Sequence, residues 1–306
     1  MIEKELETVV NDCLLDSLTK KGYLSEKKMA FYLNRKFFDN PDFHVFHNLN
    51  IRTVNDKGFF QIDHLVITRY CFIVIESKTC NSHLKYDANL QWTCFQETSQ
   101  KWIGIKSPMI QAEMQGEALR KVLQENRVNI RKRFLNKQGG FLTLPIHTLV
   151  AVSDAGIIDY PECHEEYSKN VLKADLIPNR VAEIFDSYKN RDTKANIFIF
   201  DKAPTYVFPE EDIPKIIQYI LSLHHVKPAY IKLEKVSLPY CKMCKEKLTI
   251  EYSLQNQCYE SVCKKCGIIK KMNLKCQVCG KKFSIHKYNK FYIIGCATCD
   301  KYGKFT

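Results

Sequence analysis

Apolar positions recur at two spacings along the chain, and their order predicts a body of interleaved helices and strands. Near the start, Ile2, Leu6, Val9, Val10, Cys13 and Leu14 fall at helical spacing, which predicts a helix over about 2–20. A second helix is expected from about Ser25, as N-cap, to Phe38, with Glu26, Met29, Ala30, Leu33 and Phe37 sharing a face. Strand-like runs follow at about 43–50, 58–68 and 71–78, and "LKYDANLQW" and "QKWIGI" are expected to extend the same sheet. Pro108 suits the first turn of a helix reaching about Leu123. "PIHTLVAVS" and "ANIFIFD" predict further buried strands. "PEEDIPKIIQYILSLHH" predicts a closing helix, where His224 and His225 meet the negative end of the dipole. The fold class is therefore α/β (α+β), a mixed sheet flanked by helices.

Composition adds compartment and partner. Of 306 residues, 45% are hydrophobic, enough for a full core. The first 24 residues mix acids and bases, and no apolar run approaches the ~20 residues of a spanning helix. The expectation is a soluble, cytoplasmic chain without a membrane partner. The net charge of +12 is uneven: residues 241–306 hold 14 lysines against four acids, whereas the first 240 are close to neutral at +2. A basic tail on a near-neutral body points to a polyanion.

The run "FFQIDHLVITRYCFIVIESKT" (59–79) carries charge where a strand is built for the interior. Alternation puts Phe72, Val74, Glu76 and Lys78 on one face and Cys71, Ile73, Ile75 and Ser77 on the other. If the preceding strand pairs antiparallel through "RYC", Asp63 falls beside Glu76. Two converging carboxylates make a hard-oxygen site of the kind Mg²⁺ takes, and an adjacent ammonium can orient or deprotonate water. A Glu and Lys sharing one strand face can equally form a rim ion pair. His64 alternates to the opposite face and is read as structural.

With Asp63 followed by Glu76-x-Lys78, the segment resembles the PD-(D/E)xK phosphodiesterase superfamily, and the wider pattern is similar to its nuclease-related (NERD) branch. The likeness rests on Glu26 in "SEKKMAFYL", "QIDHLVIT", "FIVIESK", Trp92 in "LQWT" and Gln111 in "SPMIQAEMQ". Where the family often has glycine this chain has Ser25, "TRYC" and "TCNSH", and Ile62 stands at the motif's proline. The resemblance implies a restriction-endonuclease-like fold and a Mg²⁺- or Mn²⁺-dependent nuclease. It further implies Asp63, Glu76 and the Ser77 carbonyl as metal ligands, and Lys78 positioning the attacking water. Glu26 would be an extra ligand or water contact, and Gln111 would orient substrate or Lys78. In-line hydrolysis would leave a 5′-phosphate.

The tail carries four Cys-x-x-Cys pairs: Cys241/Cys244, Cys263/Cys266, Cys276/Cys279 and Cys296/Cys299. Inserts of 18 and 16 residues inside each half are hairpin-sized, and nine residues separate the halves. This spacing predicts two consecutive zinc ribbons, each holding one structural Zn²⁺; a cross-braced pairing is the less natural arrangement. Cys258 is left as packing. Lys264, Lys265, Lys281 and Lys282, with Tyr288 and Tyr292 interleaved, suit phosphates and unpaired bases. The ribbons resemble those of bacterial type IA topoisomerases, notably "CATCDKYGKF", which implies DNA with single-stranded character.

The expected organisation is an N-terminal helix (1–24), a nuclease-like domain (25–227), a linker (228–240) and ribbons at 241–267 and 276–306. The expected activity is a DNA endonuclease in DNA processing, repair or prokaryotic defence, with a protein partner in such a complex. The competing expectation is a non-catalytic adaptor that binds nucleic acid or docks protein.

Overall fold

The structure is a computed structural model that describes residues 1–9, 17–53, 58–80, 82–97, 99–134, 137–161, 165–195, 206–227, 234–236, 238, 240–276, 278–288, 291–296, 298–299 and 301–305. The chain divides into two compact units, one of residues 1–7 and 19–224, the other of residues 8–18 and 225–306. The strand expected in "ANIFIFD" lies outside the described residues.

The first unit runs β1 (Ile2–Lys4), α1 (Ser17–Phe37), β2 (His44–Arg52), β3 (Phe59–Ile67), β4 (Phe72–Lys78), β5 (His83–Tyr86), β6 (Trp92–Gln96) and β7 (Lys101–Ile105). There follow α2 (Pro108–Glu125), α3 (Arg127–Ile130), the short pair β8 (Arg133–Phe134) and β9 (Lys137–Gln138), and β10 (Ile146–Val152). It closes with β11 (Ile157–Asp159), α4 (Glu165–Ser168), β12 (Val171–Lys173), α5 (Ile177–Ala195) and, after a 3₁₀ turn at Glu210–Asp212, α6 (Ile213–Leu223).

Among the described residues a six-stranded mixed sheet, ordered β1-β2-β3-β4-β10-β12, forms the centre. β2, β3 and β4 make an antiparallel meander, and β10 lies parallel to β4 over its whole length, from Ile146↔Phe72 to Val152↔Lys78. One face packs against α2 and α6 through Phe46, Ile62, Leu65, Phe72, Val74, Ala112, Leu119 and Ile216. The other packs against α1 and α5 through Met29, Leu33, Val66, Ile73, Ile75, Val181 and Phe185. Both faces of β4 are therefore buried, which explains its unbroken apolar run.

Three expectations are corrected. Of the helix read over 2–20, Ile2–Lys4 is a strand instead, because pairing with β2 (Ile2↔Val45, Lys4↔Phe46) satisfies backbone groups that a short helix end would leave open, while 10–16 lie outside the described residues and 17–20 open α1. The second helix starts at Ser17, and Ser25, inside it, spends its hydroxyl on Thr79 Oγ1 at 2.8 Å instead of capping. β5, β6 and β7 do not extend the central sheet; with β11 they form a separate four-stranded sheet ordered β11-β5-β6-β7. The helix at 108–123 is borne out: Ser107 caps α2 by accepting from the Ile110 N–H.

The second unit contains β13 (Glu234–Val236), β14 (Thr249–Ser253), β15 (Cys258–Val262), β16 (Ile269–Lys271), β17 (Ser284–Tyr288), β18 (Phe291–Cys296) and β19 (Lys301–Phe305). β14-β15-β16 form one antiparallel sheet and β13-β19-β18-β17 another. β13, in the stretch expected as linker, runs parallel to β19. Ile250, Met272, Ile294 and Phe305 share one small core. No helix among the described residues is long and apolar enough to cross a membrane.

Candidate active site and metal centres

The β3–β4 register, His64↔Ile75 and Leu65↔Val74, sets Asp63 opposite Glu76 when continued one step. Directly opposed strand residues bring their Cβ atoms to about 5 Å. Both carboxylates are buried, at 7% and 4% exposure. The Ser77 N–H donates to Asp63 Oδ2 at 2.9 Å, and the Gln61 amide reaches Oδ1 at 3.3 Å. Gln115, from α2, donates through Nε2 to Glu76 Oε2 at 3.1 Å. That approach depends on Gly116, where a Cβ would lie 3.0 Å from Ile146 Cγ2. The bare backbone lets α2 settle onto the sheet and carries Gln115 to its carboxylate.

Burial first, and the charge of Asp63 second, push Glu76 up to about 8; the Gln115 hydrogen bond and the Lys78 ammonium oppose them. At neutral pH the pair thus holds a proton that a divalent cation would displace. Lys78, half-buried at the end of β4, stands on the same strand face. Two buried carboxylates and the Ser77 peptide, whose N–H meets Asp63, make an oxygen donor set that fits Mg²⁺ or Mn²⁺.

Sequence reasoning missed Gln115. Gln111, the glutamine it selected, is exposed one turn earlier on α2. The available signal was a polar residue within the buried stripe of Ala112, Gln115, Leu119 and Leu123. Glu26 stands on α1, the helix covering the opposite face, three residues before buried Met29. Its Oε2 is shielded from solvent, but it does not join Asp63 and Glu76. Among the described residues, the groups of three or more His, Cys, Asp or Glu with ligand atoms within 4.8 Å are the two cysteine sets alone.

His64 is structural, as expected. Its Nε2 lies 3.1 Å from Ser77 Oγ and its Nδ1 2.8 Å from His47 Nδ1, while His47 Nε2 lies 2.7 Å from Asn34 Oδ1. Burial, then the Lys4 charge, lowers His47 to about 3; burial likewise holds His64 well below its usual range, with His47 adding to it. Across the sheet from Asp63, Asn48 interrupts β2 with φ of 51°, between the pairs His47↔His64 and Leu49↔Ile62. His224 pins the end of α6 to β2: its Nδ1 accepts from the Asn50 N–H at 3.1 Å and its Nε2 meets Glu7 Oε1 at 2.7 Å. Trp92 packs in the core of the separate sheet, stacked on Tyr86 at 4.8 Å.

Residues 21–153 match the family model of the nuclease-related domain, NERD. Over those residues the first unit is similar to a nuclease-related domain. That match encloses α1, the β2–β4 meander, the separate sheet, α2 and β10, and with them Asp63, Glu76, Lys78 and Gln115. No curated protein and no solved structure matches the chain.

In the second unit the eight cysteines gather as expected for consecutive ribbons: Cys241, Cys244, Cys263 and Cys266 in one set, Cys276, Cys279, Cys296 and Cys299 in the other. Sulfurs lie 3.4 Å apart for Cys241–Cys266, Cys244–Cys263 and Cys279–Cys296, and 3.7 Å for Cys244–Cys266. Thiolates bound at ~2.3 Å around one tetrahedral zinc stand about 3.8 Å apart, so both sets fit that ion. Three of the four Cys-x-x-Cys pairs are tight turns of one kind: Lys245, Gly267 and Gly280 donate their N–H to the carbonyls of Cys241, Cys263 and Cys276. These three residues have φ of 60°, 72° and 69°. Lys264, Lys265, Lys281 and Lys282 are exposed. Tyr292 is half-buried against Tyr259, at 5.9 Å between centroids, and packs on the ribbon core. The Tyr288 side chain lies outside what the structure describes.

Proposed function

We propose that the chain is a divalent-metal-dependent DNA endonuclease brought to its substrate by two zinc ribbons. The observation that carries this reading is the convergence of buried Asp63 and Glu76 on one sheet end, with Gln115 donating to Glu76 and the Lys78 ammonium beside it. Asp63, Glu76 and the Ser77 carbonyl would hold Mg²⁺ or Mn²⁺. Such a cation, when bound, neutralises and polarises a phosphodiester oxygen. Gln115 keeps the Glu76 carboxylate aimed at the ion as it gives up its proton, and the Ser77 N–H fixes the other carboxylate. Lys78 holds the attacking water and offers positive charge as the phosphorus centre gains electron density. Glu26, on the far face, acts through water, and exposed Gln111 faces the substrate.

The ribbons, each closed by one structural Zn²⁺, present lysines to the phosphate backbone. An intracellular setting in DNA processing, repair or prokaryotic defence, with a protein partner, accords with this chemistry.

Supercoiled plasmid incubated with the full chain and Mg²⁺ or Mn²⁺ tests the reading. The wild type should nick and linearise it, and Asp63→Ala or Lys78→Ala should slow this by about 100-fold or more. Equal nicking by wild type and both variants refutes the assignment. Calorimetry that finds no heat with millimolar Mn²⁺ supports the adaptor instead.

A further inference from the structure

Among the described residues, the separate sheet buries one face and leaves the other half-buried to exposed. Leu84, Tyr86, Trp92 and Cys94 share the covered face and pack with Met109, Val150 and Val152. The pairs Lys85↔Thr93, Thr93↔Gly104 and Phe95↔Trp102 lie on the opposite face, and alternation adds His83. There Trp102 is 40% exposed. Phe95 meets it edge-on at 5.5 Å, His83 at 6.4 Å, and the Lys85 ammonium sits 3.9 Å from its ring centre. Nothing lies within 4 Å of where a Gly104 Cβ would stand, so open backbone floors the space beside the indole. Lys106, exposed just past β7, continues this face by alternation, whereas Lys101, paired with Gln96, belongs to the other.

None of this is required by packing, since the other tryptophan, Trp92, already fills the core at 2% exposure. Flat rings on an open sheet, next to exposed lysines, offer what unpaired bases need: a face to stack on and a cation for each phosphate. A duplex keeps its base faces occupied and gains only the lysines. Asp159 of β11, the register partner of Lys85 on this face, is engaged with His83 at 3.2 Å, and the Trp102 side of the Lys85 ammonium is left to the strand. An exposed cation–π contact is weaker than base stacking, so an incoming base takes the ring and Lys85 turns to phosphate. The chain passes from Lys78, at the candidate active site, to His83 in five residue steps, a reach of at most ~17 Å.

We propose that this face is a stacking platform for unpaired bases of the strand presented to Asp63 and Glu76. It rests on the nuclease reading for the fate of that strand, but binding itself needs no cleavage. The chain has only two tryptophans, Trp92 and Trp102, so indole fluorescence reports on the platform. The test titrates the full chain, in Ca²⁺ to arrest hydrolysis, with a 15-nucleotide oligothymidylate and with a duplex of the same length. The single strand should quench the exposed indole. Trp102→Ala should abolish the quench and weaken single-strand binding about 5- to 100-fold, while Trp102→Phe keeps most of the affinity. Duplex affinity should change less than twofold. Unchanged single-strand affinity in Trp102→Ala and Phe95→Ala overturns the platform, and so does an equal loss for the duplex. Asp63→Ala separates the two readings: nicking by that variant at the wild-type rate removes the nuclease while leaving the platform, and lost nicking with indifferent Trp102 variants does the reverse.

Discussion

Glu76 shows how one buried residue can set both the chemistry and the fragility of a site. Its carboxyl is raised to about 8 by burial and by Asp63, so its donor among the described residues, Gln115, decides how readily it becomes a ligand. Replacing Gln115 by Leu removes a hydrogen bond to a charged group, an interaction worth about 1.5–3 kcal/mol. Mn²⁺ affinity measured by calorimetry should fall roughly tenfold or more, with plasmid nicking falling in parallel, while far-UV dichroism stays native. The His47–His64 pair carries the opposite sign of proton linkage. His47 is held at about 3 in the folded chain, below the 6.5 of a free imidazole, so the unfolded state takes up the proton first as pH falls. Stability from this group is whole above about 6.5 and is lost between there and about 3; at pH 5.5 the loss is roughly 1.4 kcal/mol for His47 alone. Urea unfolding of wild type and His47→Gln at pH 7.5 and 5.5 checks this. The wild type should lose more, and the cysteine sites, common to both, cancel in the comparison.

At the scale of elements, the legible parts of the fold were those whose local pattern and tertiary role agree. β4 read correctly because both its faces are buried, and α2 because Ser107-Pro108 caps and starts a helix in its own right. The N-terminal strand was hidden because Ile2 and Leu6 fit helical spacing, and the pairing with β2 that overrides it is invisible without the fold. α5 escaped notice because "IPNRVAEIFDSYKNRDTKA" is mostly polar, with Ile177, Val181, Ile184 and Phe185 buried and Tyr188 packed beside them. Of the candidate site, Asp63, Glu76 and Lys78 were readable as charges stranded in apolar runs. Gln115 was not singled out, since choosing between two glutamines one turn apart requires knowing which face of α2 meets the sheet. The cysteine turns were readable from spacing, yet their backbone carries information that spacing lacks. Lys245 takes the left-handed conformation filled by glycine in the equivalent Gly267 and Gly280 turns. Lys245→Gly should relieve about 1 kcal/mol of strain, seen as slower zinc release to a chelator from the Cys241/Cys244/Cys263/Cys266 set. Release from the Cys276/Cys279/Cys296/Cys299 set should be unaltered.

Across the whole molecule, charge is divided as sharply as structure: a near-neutral unit bears the carboxylates, and the cysteine-bearing unit holds nearly all the excess lysine. Acidic groups grouped for a cation repel a polyanion until the cation arrives, so the attraction for DNA has to come from elsewhere in the chain. If the ribbons supply it, binding strength should track ionic strength through their lysines and not through the site. Each phosphate contact on a single strand contributes about 0.7 to the slope of log affinity against log salt. Changing Lys264, Lys265, Lys281 and Lys282 together to Ala should therefore flatten that slope by up to about 3, with both zinc ions retained. Nicking under saturating DNA at low salt should stay near the wild-type rate, because the residues at Asp63 and Glu76 are untouched. A steep slope surviving in the quadruple variant would move the electrostatic work off these lysines and make the ribbons docking modules for protein.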